Sequence, residues 1–270
     1  MTLMTSIEPQ DWRDLENSVA GILQECGMAV QQQVHLPLPR GAVDIDVLAE
    51  DTVDGITHRI VCECKNWRTN VPQEKVHAFR TIMQETGANR GYIISRTGFQ
   101  AGAHDAAQAT NIELVTYAQF QERYFQKWFN ARLWSIERAI GNFNVYYEPL
   151  GRPGYHFLRN DEQRAAYDAV WSKYCFAGTM LMHFSPYTRM VAANQPPVPL
   201  PLDVRELERH GYAVPEDVKA ATGYRELLAL LETYAREGLQ ELRAVNPITA
   251  GKAEGEFDEE LDAPMPPARR

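Results

Sequence analysis

Four charged residues on two short apolar segments have the types and spacing for chemistry on a phosphate ester. Asp44 and Asp46 lie in AVDIDVLAE, and Glu63 and Lys65 lie in IVCECK. A strand sends alternate side chains to opposite faces, so the members of each pair are expected to share a face. Carboxylates on neighbouring strands beside a lysine can hold a divalent cation against a phosphodiester and activate a water molecule. The spacing therefore predicts metal-dependent phosphodiester hydrolysis.

A hairpin is predicted to bring the two segments together. The pattern indicates strands over residues 42–49 and 58–65, joined by a turn in DTVDG at 51–55. As antiparallel neighbours, these strands place Asp46 near Glu63. One face of the first strand is expected to carry its apolar residues, Val43, Ile45, Val47 and Ala49.

The motifs and their order resemble the PD-(D/E)xK superfamily, and most closely its Mrr-like restriction endonucleases. Asp46 lies 17 positions before Glu63 of the Glu-x-Lys motif. Three segments match that family's strand, strand and strand-to-helix turn in order: IDV at 45–47, ECKNW at 63–67 and GYIISRTGFQAGA at 91–103. The resemblance covers roughly residues 8 to 120. It implies a restriction-endonuclease-like α/β core, with a mixed central sheet flanked by helices, and a DNA-cutting activity that uses Mg²⁺ or Mn²⁺.

The resemblance assigns roles to the charged residues. Asp46 and Glu63 become the metal ligands, with the backbone carbonyl of Cys64 as a third. Lys65 would orient or help to deprotonate the attacking water. Asp44 faces the same way as Asp46 and is a candidate ligand for a second ion. The alternative is that Glu63 and Lys65 form a simple ion pair on an exposed sheet face.

A glutamate on the first helix is a further candidate. Apolar residues recur at helical spacing from Asp11 to Cys26, and Glu16 falls within that stripe, so it projects toward the sheet. A buried carboxylate is costly unless it is paired or metal-bound. In Mrr-like nucleases a glutamate at this place often joins the active site. The alternative is a side chain that reaches solvent at the margin of the stripe.

Five residues are candidates for nucleic-acid contact. Trp67 and Arg68 directly follow the Glu-x-Lys motif, although a packing tryptophan explains the first equally well. Ser95, Arg96 and Thr97 lie where a strand meets a helix, a position whose N–H groups and helix dipole suit a phosphate. An ordinary tight turn is the alternative there.

The remaining elements complete an α/β order followed by helices. A helix beginning at Pro72, a strand over Tyr92–Ile94, a helix within 101–109 and a strand over Ile112–Thr116 are predicted. Strand signals then vanish, and helices are predicted from Phe120, over Asp161–Phe184 and within 215–245, with a proline-rich connection from Gln195 to Leu202. We predict a nuclease domain at 1–120, a helical domain of unknown role at 121–245 and a disordered acidic tail at 246–270.

Composition limits the possible partners and location. The 270 residues carry a net charge of −9, and residues 1–120 hold nine Lys and Arg against fifteen Asp and Glu, so DNA binding by this part is expected to be weak and salt-sensitive. Bound Mg²⁺ would offset part of that acidity.

Four scattered cysteines predict no disulfide framework, and Cys62 and Cys64 are expected to be buried away from Glu63 and Lys65. The absence of a leader and of an apolar run of about 20 residues predicts a cytosolic protein.

Three functions compete on these observations. The first is an Mg²⁺-dependent endonuclease of restriction or anti-phage defence, acting on DNA as a homodimer or with another defence protein through the helical domain. The second is a nuclease-like module that binds DNA or protein without cutting. The third is a nuclease of DNA repair or junction resolution, which shares the chemistry and differs in substrate shape.

Overall fold

The chain divides into two compact units. A computed structural model describes residues 4–38, 41–148, 151–185 and 198–252. One unit comprises residues 6–132, and the other comprises, within the described residues, 4–5 and those from 133 onward. The domain boundaries predicted at residues 120 and 245 stay predictions. Most of the predicted acidic tail, from residue 253, lies outside the described residues.

A mixed five-stranded sheet forms the centre of the first unit. Its strands follow chain order: β1 Ala29–Leu38, β2 Gly41–Val53, β3 Ile56–Lys65, β4 Arg90–Ser95 and β5 Ile112–Thr116. Strands β1, β2 and β3 are antiparallel, whereas β4 runs parallel to β3 and β5 parallel to β4. The predicted hairpin is confirmed, although its strands extend further into the turn than the sequence pattern indicated.

Helices cover both faces of this sheet. They are α1 Trp12–Glu25, α2 Gln73–Thr86, α3 Ala101–Ala107 and α4 Tyr117–Ala139. On one face, α2 and α3 bury a cluster that includes Val61, Phe79 and Ile93. On the other face, the Tyr92 ring meets the ring of Phe120 in α4 at 5.4 Å between centroids. The predicted sheet flanked by helices is therefore confirmed.

Strand β2 changes the face of its side chains at Asp46. Ile45 and Leu48 both pack against the cluster under α2 and α3, which simple alternation forbids for residues three apart. Val47 pairs with Cys62, whose neighbour Val61 lies in that cluster, so Val47 points to the opposite face. The prediction that Val43, Ile45, Val47 and Ala49 share one face is therefore wrong. The backbone is irregular here, because Gln33 of the adjacent β1 has a φ of +50°.

The second unit is mainly helical, as predicted. Within the described residues, two long helices, α5 Asp161–Phe184 and α8 Tyr224–Val245, pack against each other, with two short helices, α6 Arg205–Arg209 and α7 Glu216–Ala220, between them in the chain. Gly238 lets α8 approach closely, because a Cβ there would lie 2.8 Å from the rings of Phe143 and Tyr174. Of the predicted proline-rich connection, residues 198–202 are described and form neither helix nor strand. Among all described helices, none is both long and apolar enough to span a bilayer.

Candidate active site

The site lies at a fork between β2 and β3. Their ladder ends at the pair Val47 and Cys62, and β3 continues beside β4 up to the pair Lys65 and Ser95. Beyond the fork, the Cys64 N–H donates a hydrogen bond of 2.7 Å to Oδ2 of Asp46. The aspartate side chain thus takes the place of the missing ladder partner. This contact fixes the carboxylate of Asp46 against the strand that carries the Glu-x-Lys motif.

Glu63 and Lys65 form an ion pair that is largely shielded from solvent. Their side chains are 21% and 16% exposed. The Lys65 ammonium lies 5.8 Å from the centroid of the Trp67 ring, and the Lys75 ammonium lies 5.7 Å from the same ring. The alternative of an ion pair is met in part, since the two residues pair but do not lie on an exposed face.

The carboxylates of this site repel one another. Burial and the negative charge of Asp46 raise the pKa of Glu63, while Lys65 and Lys75 act in the opposite direction. The net effect remains a raised pKa, so Glu63 is held in a position that penalises its charged form. A cation placed between Asp46 and Glu63 would relieve that penalty.

Glu16 of α1 joins the same group. The residue is 7% exposed, so it does not reach solvent at the margin of the helix. Burial and the charge of Asp46 raise the pKa of Glu16, with opposing effects from a hydrogen bond to Gln33 and from Lys65. The structure therefore brings together the four predicted residues Glu16, Asp46, Glu63 and Lys65.

Gln33 is a site residue that the sequence reasoning missed. Its Nε2 donates a hydrogen bond of 2.7 Å to Oε2 of Glu16. Its neighbours pair with Ile45 and Val47, so Gln33 lies opposite Asp46. No sequence signal identifies it, because it ends a run of three glutamines with no periodicity of its own.

Asp44 lies apart from this group. Its Oδ1 is 2.7 Å from Nδ1 of His35 on β1, and its side chain is 82% exposed. The change of side-chain face in β2 at Asp46 accounts for the separation, because Asp44 and Asp46 are not related by regular strand alternation.

The donor set suits a hard divalent cation bound through few protein ligands. Within the described part of the chain, no group of three or more His, Cys, Asp or Glu residues is arranged to hold a metal ion. Mg²⁺ needs fewer protein ligands than that, since it keeps several waters and binds through one or two carboxylates. Oδ1 of Asp46 accepts no hydrogen bond from any described residue, and Glu63 lies beside it. Asp46 and Glu63 therefore fit the metal that the sequence resemblance implies.

The five predicted nucleic-acid residues fall into two groups. Arg68 and Arg96 are exposed, and Trp67 is partly buried and packs against the core cluster. Ser95 is fully buried; its Oγ donates to the Gly98 carbonyl at 3.0 Å and accepts from the Thr97 N–H at 3.3 Å. Oγ1 of Thr97 donates to the Thr69 carbonyl at 2.9 Å. Ser95 and Thr97 therefore build the turn, which leaves the arginines as the side chains available to a ligand.

The thiol groups of the two cysteines take no part in this site. Cys62 and Cys64 are buried, and burial raises the pKa of both thiols. Both stay neutral thiols at ordinary pH, which is unfavourable for metal ligation. Their expected burial is confirmed.

Comparison with known proteins gives a family match and two structural superpositions. Residues 7–124 match the family model of the Mrr catalytic domain, described as restriction endonuclease. The crystal structure of AF1548, a protein of unknown function, is 15% identical, with 88% of this chain and 97% of that chain covered at a TM-score of 0.36. The DNA modification-dependent restriction endonuclease AspBHI is 9% identical, with 46% of this chain and 36% of that chain covered at a TM-score of 0.27.

No curated protein sequence matches the chain. Neither structural superposition is close enough to transfer the role of any residue, so the assignment depends on the family match and on the sheet that carries its motifs. That match spans the fork between β2 and β3 and all four clustered residues. Residues 7–124 are therefore similar to the catalytic domain of the Mrr-like restriction endonucleases, and they form the sheet flanked by helices that is expected of a restriction-endonuclease-like fold.

Proposed function

We propose that this chain is an endodeoxyribonuclease that depends on Mg²⁺ or Mn²⁺, with Asp46, Glu63 and Lys65 at its reaction centre. The supporting observation is the fork between β2 and β3, where Asp46 and burial raise the pKa of Glu16 and Glu63 beside the Lys65 ammonium. Such perturbed groups are typical of catalytic sites. Their location inside a restriction endonuclease domain connects them with phosphodiester chemistry.

Each residue has a distinct part in this proposal. Asp46, oriented by the Cys64 N–H, and Glu63 would hold the cation, together with the Cys64 carbonyl. When bound, the cation supplies Lewis-acid activation of the phosphodiester and of water. Lys65 places its positive charge where negative charge builds on the phosphorus oxygens. Glu16 lies beside them with a raised pKa, so it can exchange a proton near neutral pH more readily than an ordinary glutamate.

Two exposed arginines would guide the substrate to this centre. Lys65 and Ser95 are paired at the ends of β3 and β4, so the segments that follow them leave the same edge of the sheet. Arg68 and Arg96 lie in those segments, and Trp67 lies beside the first of them. Ser95 and Thr97 would contribute by holding the turn that presents Arg96.

A plasmid assay tests the proposal. Supercoiled plasmid is incubated with the protein and Mg²⁺, with and without EDTA, and the variants Asp46→Asn, Glu63→Gln and Lys65→Gln are compared with it. The matched controls are Asp54→Asn in the hairpin turn and Glu85→Gln on α2, which make the same chemical changes at exposed positions. We expect EDTA and the three site variants to abolish cleavage and the controls to retain it. Cleavage that persists in the site variants would remove these residues from the mechanism.

Restriction or anti-phage defence in the cytosol is the proposed setting, with DNA as substrate and a second copy or another defence protein as partner. Cells that produce the wild-type protein should resist phage infection, and cells that produce the Glu63→Gln variant should not. A DNA-binding or protein-binding module without cleavage is the second candidate, and the excess of acidic residues in 1–120 favours a protein as its partner. It predicts equal protection by the wild-type protein and the variant.

A further inference from the structure

The second unit contains a basic cavity of about 560 Å³. Residues from the end of α4, from α8 and from the turn after α8 line it. Its charged lining consists of three arginines and one lysine, namely Arg138, Arg236, Arg243 and Lys252. Among the described residues that line it, none is an aspartate or a glutamate. We infer that this cavity binds phosphate groups of the DNA backbone.

The cations come from separate elements but converge on one space. Arg236, Gln240 and Arg243 are spaced four and three residues apart, so they share one face of α8. Arg138 lies in the last turn of α4. Lys252 is positioned by a turn in which its N–H donates to the Thr249 carbonyl at 3.0 Å.

Thr249 fixes that turn to the helix. The residue is 2% exposed, and its Oγ1 donates a hydrogen bond of 2.6 Å to the Arg243 carbonyl. Two hydrogen bonds therefore set the backbone position of Lys252 relative to Arg243. A site whose charges are held in place loses less conformational entropy on binding an anion.

Several described cations elsewhere in this unit pair with carboxylates. Arg152 pairs with Asp168 at 2.7 Å, and Lys173 pairs with Glu241 at 2.8 Å. In the cavity, Arg236 pairs with Glu232 at 2.8 Å, but Glu232 does not belong to the lining. Gathering four cations around one space costs free energy through mutual repulsion, and a bound polyanion offsets that cost.

Helix dipoles explain only part of this arrangement. A basic residue in the last turn of a helix interacts favourably with its C-terminal partial charge, which accounts for Arg138 and Arg243. That effect does not extend to Arg236, two turns earlier in α8, or to Lys252 beyond the helix. Arginine is also suited to phosphate, because its planar guanidinium donates two parallel hydrogen bonds.

The charge distribution along the chain favours DNA as the source of the phosphate. Residues 1–120 have nine basic against fifteen acidic residues, so the nuclease domain lacks the cations that dominate affinity for DNA. A cluster on the second unit would supply part of that affinity. This inference rests on the proposed function, since it assigns the second unit the task of holding the substrate.

Binding of a labelled DNA duplex tests the inference independently of cleavage. Affinity is measured by fluorescence anisotropy in EDTA over a salt series, for the wild-type protein and for the double variant Arg138→Gln with Arg236→Gln. Both side chains are exposed, so the variant should fold. We expect the affinity to fall on the order of tenfold. The slope of log affinity against log salt should decrease by about 2, or about 1 for each lost phosphate contact.

A matched double variant controls for net charge. Arg205→Gln with Arg209→Gln removes two exposed arginines of the same unit that pair with Asp203 and Glu206 and do not line the cavity. It should leave affinity and slope unchanged. Equal binding by the cavity variant and the wild type would overturn the inference, as would wild-type protein that binds no duplex at low salt. A cavity variant that binds inorganic phosphate more weakly than the wild type but keeps its affinity for the duplex would also overturn the inference. If the cavity variant binds DNA more weakly but the wild-type protein cleaves no plasmid, DNA binding by the cavity is supported and the proposed nuclease activity is rejected.

Discussion

At the scale of single residues, the site is defined by an electrostatic conflict. Three acidic side chains lie around one ammonium group, and burial and mutual repulsion raise the pKa of both Glu16 and Glu63. Such an arrangement costs stability in the isolated protein. It is typical of sites in which stability is traded for function.

The first prediction concerns the stability cost of Glu63. Because its folded-state pKa is raised above the ordinary value of 4.5, its ionisation at neutral pH opposes folding. Glu63→Gln is therefore expected to increase the free energy of unfolding in EDTA at neutral pH by on the order of 1 kcal/mol. The gain should shrink as the pH falls through the raised pKa and vanish below 4.5, where the carboxyl is protonated in both states. Urea unfolding across pH measures it.

Glu85→Gln is the control for this change, since that side chain is exposed on α2. Its unfolding free energy should stay close to that of the wild type at every pH in the same range. A Glu63→Gln variant that is less stable than the wild type at neutral pH would show that the ion pair with Lys65 outweighs the burial of Glu63.

The second prediction concerns Gln33 as a positioning residue for Glu16. Asparagine tolerates the left-handed backbone at this position but is too short to keep the 2.7 Å hydrogen bond. Gln33→Asn should therefore fold normally and cut DNA about 10-fold to 100-fold more slowly, the range typical of lost supporting hydrogen bonds. Its pH profile should shift to higher pH, because the hydrogen bond lowers the pKa of Glu16. Gln31→Asn, exposed on the same strand, is the control and should behave as the wild type.

At the scale of elements, helices with a regular apolar pattern could be predicted from the sequence, whereas the irregular part of β2 could not. The apolar stripe of α1 and the pattern of α5 have helical period, and both helices occur within one or two residues of their predicted bounds. The face on which each β2 side chain lies could not be predicted, because the alternation changes beside Gln33 of the neighbouring strand, whose backbone is left-handed. The clustering of Glu16, Asp46 and Glu63 followed from the motifs and the family resemblance, whereas the contact of Gln33 with Glu16 depends on how α1 packs on β1.

The third prediction tests how tightly α2 packs on the sheet that carries the site. A Cβ on Gly91 of β4 would lie 2.5 Å from Sδ of Met83 and 2.6 Å from the ring of Phe79. Gly91→Ala is therefore expected to destabilise the protein by about 1–3 kcal/mol through overpacking. Gly21→Ala on α1 is the matched control: nothing lies within 4 Å of its added Cβ, and alanine favours the helix by up to about 1 kcal/mol. Thermal unfolding should move in opposite directions for the two variants, and equal shifts would contradict the packing described here.

At the scale of the whole molecule, charge is distributed unevenly. The chain has a net charge of −9, and the excess acid is concentrated in residues 1–120 and in the stretch EGEFDEELD at 254–262. The described basic cavity lies in the second unit and outside residues 1–120. In the proposed nuclease, these carboxylates would repel DNA at the reaction centre, and a cation held by Asp46 and Glu63 would offset that repulsion.

The last prediction follows from this requirement. In a Lys65→Gln variant, which keeps both proposed ligands but is expected not to cut, Mg²⁺ should strengthen duplex binding by on the order of tenfold, because the bound ion replaces repulsion by attraction. With Asp46→Asn and Glu63→Gln added, the same Mg²⁺ should only weaken binding, since free Mg²⁺ competes for the phosphates. Fluorescence anisotropy with a labelled duplex measures both, and Asp54→Asn in the Lys65→Gln background is the control that should keep the strengthening. If Mg²⁺ weakens binding equally in all three proteins, Asp46 and Glu63 do not hold the cation that meets the DNA.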